Sequence, residues 1–184
     1  MNEITRRHMF VLCMLIMSVC GTAAVTADSE DPEISTDMQT FDGFGELLGP
    51  VLHTSQGETV DIDTLDGKTV GIYFSAEWCS YCRSFSPLLV EVYRDLQALG
   101  KPFEVVLVSG DRNEADMYEY MIDYHMPWLA VPYDSPQRNE LPEAFGVRGI
   151  PTLIILGPDG EVLSRDGRVQ IRQHGEDSYE LWHE

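Results

Sequence analysis

Positive charge is scarce in this chain of 184 residues: 12 Lys and Arg stand against 31 Asp and Glu, for a formal net charge of -19 and a pI near 4.4. Such an acidic surface repels phosphate backbones and anionic lipid headgroups alike, which excludes non-specific nucleic-acid binding and a polybasic membrane role. Cysteine is scarce as well, with 4 in the whole chain. No uninterrupted apolar run reaches the roughly 20 residues that span a bilayer as a helix, and no internal repeat is apparent. What is left is an ordinary globular composition, 43% hydrophobic and 23% charged. The length suits one domain with a sizeable core and is short for two.

Arg6 and Arg7 precede the apolar run from Phe10 to Cys20, and small residues follow as far as Ala27. This is the pattern of a secretory signal peptide over residues 1–27, with Val25-Thr26-Ala27 at the cleavage site. It predicts an exported protein, periplasmic or otherwise extracytoplasmic; left uncleaved, the same segment would be an N-terminal anchor. Cleavage would remove Cys13 and Cys20, leaving Cys79 and Cys82 alone and excluding a structural disulfide framework. Residues 28–43, beginning DSEDPEISTDMQTFD, are acidic and nearly free of aliphatic side chains, which predicts a flexible linker. The folded domain is expected over residues 44–172. A polar C-terminal tail follows over 173–184, where Tyr179 and Trp182 either pack back or stay free.

Val70 to Phe74 and Phe103 to Val108 are continuous apolar runs rich in Val, Ile and aromatics, as expected of central parallel strands buried on both faces. Between them Phe85, Leu88, Leu89, Val92, Leu96 and Leu99 recur at steps of three and four, one helical stripe that Gly100 would stop. Strand, helix, strand implies a right-handed crossover. Glu114 to Tyr124 reads as a second helix, using Met117, Met121 and Tyr124. Leu153 to Leu156, the Pro158-Asp159-Gly160 turn and Glu161 to Ser164 read as a closing hairpin. Leu47 to Leu52 and Thr59 to Ile62 read as short peripheral strands around a Gln56-Gly57 turn.

Cys79 and Cys82 lie in FSAEWCSYCRSF, directly after a predicted strand and in the first turn of the long helix. Unpaired backbone N–H groups and the positive end of the helix dipole stabilise negative charge there, which favours a thiolate, the nucleophilic form of cysteine. A spacing of three places both side chains on one helical face, near enough to close a disulfide. Half of a zinc site is the structural alternative, but such a site needs four ligands. The sequence has no second cysteine pair, and His53, His125, His174 and His183 are scattered without paired spacing. Two inert buried thiols are the other alternative. The strand-to-helix location speaks against it, as does Trp78, which would shield a reactive pair.

Several separated features together resemble the thioredoxin superfamily. FSAEWCSYC is similar to its redox motif, Pro87 to its helix-kinking proline, and Arg148-Gly149-Ile150-Pro151-Thr152 to the loop whose proline is cis and faces the active site. The resemblance covers about residues 66–168. It implies an α/β, thioredoxin-like fold with a central mixed β-sheet flanked by helices. It also implies that Ile150 pairs through its backbone with a substrate peptide beside Cys79, with Trp78, Tyr81, Gly149 and Pro151 completing the substrate surface. FEVVLVSGDRNEADMYEYM and MPWLAVPY resemble the nucleoredoxin and tryparedoxin branch. Two departures stand out: Tyr73 lies where thioredoxin has a buried Asp that assists proton transfer, and Ser80-Tyr81 replaces Gly-Pro. Glu77 is a nearby carboxylate expected to be solvated.

The resemblance thus implies a thiol-disulfide oxidoreductase in which Cys79 attacks a substrate disulfide and Cys82 resolves the mixed disulfide. Its substrates would be protein disulfides or thiols, and a separate membrane-bound or exported electron donor would reset the pair. No dissolved cofactor, metal or nucleic acid is required. No His lies between the cysteines to favour strong oxidation, so the expected direction is reduction. A peroxidase of the peroxiredoxin type would need Thr where Ala76 stands. A metal-delivery or protein-binding module on the same fold is the alternative of a different class.

Overall fold

The computed structural model describes residues 43–184. The signal peptide expected over 1–27, and all but the last residue of the linker expected over 28–43, lie outside the described residues. In chain order the elements begin α1 (Phe44–Leu48), β1 (Val51–His53), β2 (Thr59–Asp61), β3 (Thr69–Ser75), α2 (Ser80–Ala98), β4 (Phe103–Ser109) and α3 (Glu114–Asp123). They continue with β5 (Leu129–Ala130), α4 (Gln137–Ala144), β6 (Thr152–Leu156), β7 (Val162–Ser164), α5 (Gly167–His174) and α6 (Ser178–Leu181).

The strands form one mixed sheet in the order β2-β1-β5-β4-β3-β6-β7. The two predicted central strands, β3 and β4, pair in parallel with Tyr73 opposite Leu107, and the predicted hairpin strand β6 runs antiparallel to β3 on its other side. Alternation along these strands sorts the core into two layers, because successive side chains leave a strand on opposite faces. Tyr73, Val105, Leu107, Leu153 and Ile155 meet α2, α3, α5 and α6 on one face. Val70, Ile72, Phe74, Val106, Val108, Ile154 and Leu156 meet α1 and α4 on the other. The sheet is covered on both faces, which is why its central strands read as unbroken apolar runs.

Helix α2 buries Phe85, Leu89, Val92 and Leu96 as its spacing predicts, with Leu88 packed at the margin. Leu99 departs from the expected stripe and is 62% exposed. The helix ends at Ala98, and Gly100 turns the chain away at a φ of 69°, a conformation that favours glycine. The expected strand over Leu47 to Leu52 is also corrected. Leu47 and Leu48 close helix α1, Gly49-Pro50 breaks it, and only Val51 to His53 enter the sheet. A short apolar run does not distinguish strand from buried helix by periodicity, and the Gly-Pro pair is the true boundary.

Beyond residue 166 the structure is more ordered than the polar composition suggests. Gly167 starts α5 so close to β6 that an added Cβ would sit 2.9 Å from the carbonyl oxygen of Leu153. Within the segment read as a polar tail, Tyr179 and Trp182 are buried in the core. The Trp182 ring packs 5.4 Å from that of Phe103, its indole N–H donates to Gln170 Oε1 at 2.9 Å, and His183 Nε2 lies 3.0 Å from Thr69 Oγ1. The hydrophobic layer is therefore closed by residues lying past 172, where the domain was expected to end. Among the described residues no helix is long and apolar enough to cross a membrane.

Candidate active site

The C-terminal end of β3 delivers the chain through Ala76-Glu77-Trp78 to Cys79, which caps the N-terminus of α2. Cys79 is extended, with φ -88° and ψ 112°, and its sulfur accepts the backbone N–H of Cys82 at 3.3 Å. An N-cap acceptor satisfies one of the orphan donors of the first turn, so the same geometry that starts the helix also holds this sulfur. Both cysteines are free thiols.

The two sulfurs occupy unlike environments. Cys79 retains 8% exposure, whereas Cys82 has none. Burial pushes the Cys82 thiol up to about 12, and the adjoining Cys79 adds to the shift, while the nearby Ser75 hydroxyl and Ala76 backbone act the other way. Cys82 is thus held as a neutral thiol in the resting protein.

Every site residue named from the sequence converges here except Glu77, which turns outward. The Ile150-Pro151 bond is cis, and the carbonyl oxygen of Ile150 lies 3.7 Å from Cys79 Sγ. Pro151 is buried, Ile150 half-buried and Gly149 exposed, with Thr152 Oγ1 donating to the Gly149 carbonyl at 2.7 Å. Trp78 and Tyr81 flank Cys79 in sequence and are 51% and 73% exposed, so two large rings stand at the rim of the site. Glu77 pairs with Arg83 at 3.0 Å in a partly exposed position. Tyr73 is fully buried, its hydroxyl 2.8 Å from Ser86 Oγ on α2. Among the described residues no group of three His, Cys, Asp or Glu side chains is placed to hold a metal ion.

One carboxylate of the site escaped the sequence reading. Asp111 follows β4 in a polar stretch that looks like solvated loop, yet it is 4% exposed. Its Oδ1 accepts the backbone N–H of Glu77 at 2.8 Å, and its Oδ2 accepts from Ser109 Oγ at 2.8 Å. Next to it the indole N–H of Trp78 donates to the carbonyl of Gly110 at 3.0 Å. The loop that carries Cys79 is thereby tied to the loop after β4 on both sides of the Glu77-Trp78 peptide. Burial raises the Asp111 carboxyl above its ordinary value, against the effect of those two donors. A single acidic residue in a loop carries no periodic signal, so only the fold reveals it.

Residues 67–162 match a protein family described as thioredoxin-like. Mouse nucleoredoxin is 44% identical over 142 residues, which cover 76% of this chain and 32% of that protein. Tryparedoxin of Trypanosoma brucei brucei is 42% identical over 127 residues, 68% of this chain and 86% of that one. The solved structure of tryparedoxin I from Leishmania major superposes with a TM-score of 0.64 at 38% identity, covering 71% of this chain and 89% of that one. The chain therefore spans about a third of the nucleoredoxin it matches but most of the tryparedoxins. The expected branch and the mixed sheet flanked by helices are both borne out. Because the thioredoxin-like match runs over residues 67–162, more than half of the chain and the stretch that holds Cys79, Cys82 and Pro151, the chain belongs to the thioredoxin-like family.

Proposed function

We propose that Cys79 and Cys82 carry out thiol-disulfide exchange on protein substrates, as a reductase. The observation that carries this reading is the inequality of the two sulfurs: Cys79 meets the surface beside Ile150, while Cys82 lies one helical turn deeper as a neutral thiol. Cys79 attacks one sulfur of a substrate disulfide, forms a mixed disulfide and releases the other substrate sulfur as a thiolate. Cys82 then attacks Cys79, forming the intramolecular disulfide and releasing the second substrate sulfur. Two electrons pass to the substrate, so an electron donor must return two to the pair. Trp78, Tyr81, Gly149, Ile150 and Pro151 form the proposed surface for the substrate backbone.

Ser80 and Tyr81 place no cationic group between the cysteines, which supports reduction over strong oxidation. The proposed setting is extracytoplasmic, on the strength of the signal-like pattern in residues 1–27. The order of attack is tested with Cys82→Ser, which is expected to accumulate partners disulfide-linked to Cys79, resolved on a non-reducing gel and released by dithiothreitol. Recovery of no Cys79-linked partner, or trapping through Cys82 in Cys79→Ser instead, contradicts the assignment.

A further inference from the structure

Cys82 must ionise to resolve a mixed disulfide, yet it sits in a fully buried place where no carboxylate contributes to its environment. The groups that do face it are Cys79 on its own helix, the Ser75 hydroxyl and Ala76 N–H at the end of β3, and the phenol of Tyr73. Four hydroxyls lie behind it, from Tyr73, Ser75, Ser86 and Tyr120, and all four residues are fully buried. Ser75 Oγ is 2.9 Å from the Tyr120 hydroxyl, which is 2.6 Å from Ser86 Oγ, which is 2.8 Å from the Tyr73 hydroxyl. Burial holds both phenols above their ordinary range, so they remain protonated.

Counting protons orders the cluster, because each hydroxyl has one to give. Ser86 donates its proton to the Cys82 carbonyl at 3.0 Å. Both tyrosines must then donate to Ser86, and Ser75 is left to donate to the Tyr120 oxygen. When Cys82 loses its proton, rotation of the Ser75 hydroxyl turns its proton from Tyr120 toward the sulfur. The Tyr120 proton can turn in the same way to the Ser75 oxygen, which polarises the new bond. The cluster offers one conditional side-chain donor to a buried sulfur that otherwise faces only the Ala76 N–H as a donor.

We propose that Ser75 is a further catalytic residue, its hydroxyl donating to the Cys82 sulfur as that sulfur becomes the resolving thiolate, with Tyr120 and Ser86 as the positioning residues that hold it. The inference rests on the exchange reaction proposed above. In that reaction the proton of Cys82 passes to the departing sulfur, or to buffer where that sulfur is a weak base. The S–S bond between Cys79 and the substrate breaks as the bond between Cys79 and Cys82 forms.

Ellman's reagent separates the two steps in the full chain by stopped flow. The first thionitrobenzoate is released by Cys79, and the second by Cys82 attacking the mixed disulfide. Ser75→Ala is expected to leave the first release unchanged and to slow the second about tenfold near neutral pH, the effect of one hydrogen bond to an ion, with its pH profile moved up by about one unit. Tyr120→Phe, which keeps the ring, is expected to slow the second release about threefold, and the double variant to be no slower than Ser75→Ala alone. Tyr93→Phe removes a different buried hydroxyl, bonded to Glu104 at 3.0 Å, and should leave the profile in place. Should Ser75→Ala fail to fold, Tyr120→Phe reads the same profile. A second release that keeps its wild-type rate and profile in the folded variants overturns the inference. No second release from the wild-type protein overturns the exchange reaction itself.

Discussion

The carbonyl oxygen of Ile150 lies 3.7 Å from the sulfur of Cys79, although 71 residues separate them in the chain. One comes from the loop before β6, the other from the start of the helix after β3, and the antiparallel pairing of those strands brings both to the same end of the sheet. In the proposed exchange reaction this puts an approaching disulfide beside the Ile150 backbone.

Tyr81 is 73% exposed and holds nothing in the core, so its substitution separates substrate contact from folding. Tyr81→Ala is expected to change stability by no more than about 0.5 kcal/mol. It should lower kcat/KM for a protein disulfide about tenfold, as loss of an aromatic contact does at an interface. A small disulfide such as Ellman's reagent should react with Cys79 unchanged. Equal losses on both substrates would contradict a role in protein recognition.

Asp111 gives a pH test with a definite sign. Burial raises its carboxyl, so ionising it costs more in the folded chain than in the unfolded one. Its contribution to stability is fully present below the unfolded value of about 4 and is lost as pH rises through the higher folded value. Asp111→Asn keeps an acceptor for the Glu77 N–H and cannot ionise, so the decline in stability above about pH 4 should flatten. Asp111→Ala removes the acceptor as well and should cost about 1–3 kcal/mol. Denaturant titrations across that pH range decide the matter; identical curves for wild type and Asn would contradict the assigned direction.

Trp182 tests whether the last residues belong to the core. It is 5% exposed, packs on Phe103 and bonds Gln170. Trp182→Ala should cost about 3 kcal/mol by loss of burial and creation of a cavity. A loss under about 1 kcal/mol would mean that the closing helix contributes little.

The central strands were legible as unbroken apolar runs, the long helix by its apolar steps of three and four, and the closing hairpin by an apolar run followed by the Pro158-Asp159-Gly160 turn. The two cysteines and the flanking rings were legible because they are adjacent in the sequence and form a motif, and the cis proline because Arg148 to Thr152 resembles a loop of the thioredoxin superfamily. Helix α4 was not, since it has only eight residues with Pro142 inside it, and β5 has just two residues, Leu129 and Ala130. The sequence alone does not place Tyr179 and Trp182, because two aromatic residues in a polar stretch have no partner in the local sequence. Asp111 and the hydroxyls of Ser75, Ser86 and Tyr120 were missed for a related reason. They come from four elements or their flanking loops, and only the fold brings Asp111 to the loop before Cys79 and the hydroxyls together beside α2.

The central claim is that Cys79 and Cys82 form a reversible redox pair poised for reduction. Its most direct test is the equilibrium reduction potential of the full chain in defined dithiothreitol or glutathione ratios, with the double Cys79→Ser, Cys82→Ser variant as the blank. The account predicts a single two-electron transition at about -250 mV or lower, in the range of reducing relatives of this fold. A transition near about -120 mV would make the protein an oxidant, and no reversible transition would contradict redox exchange altogether.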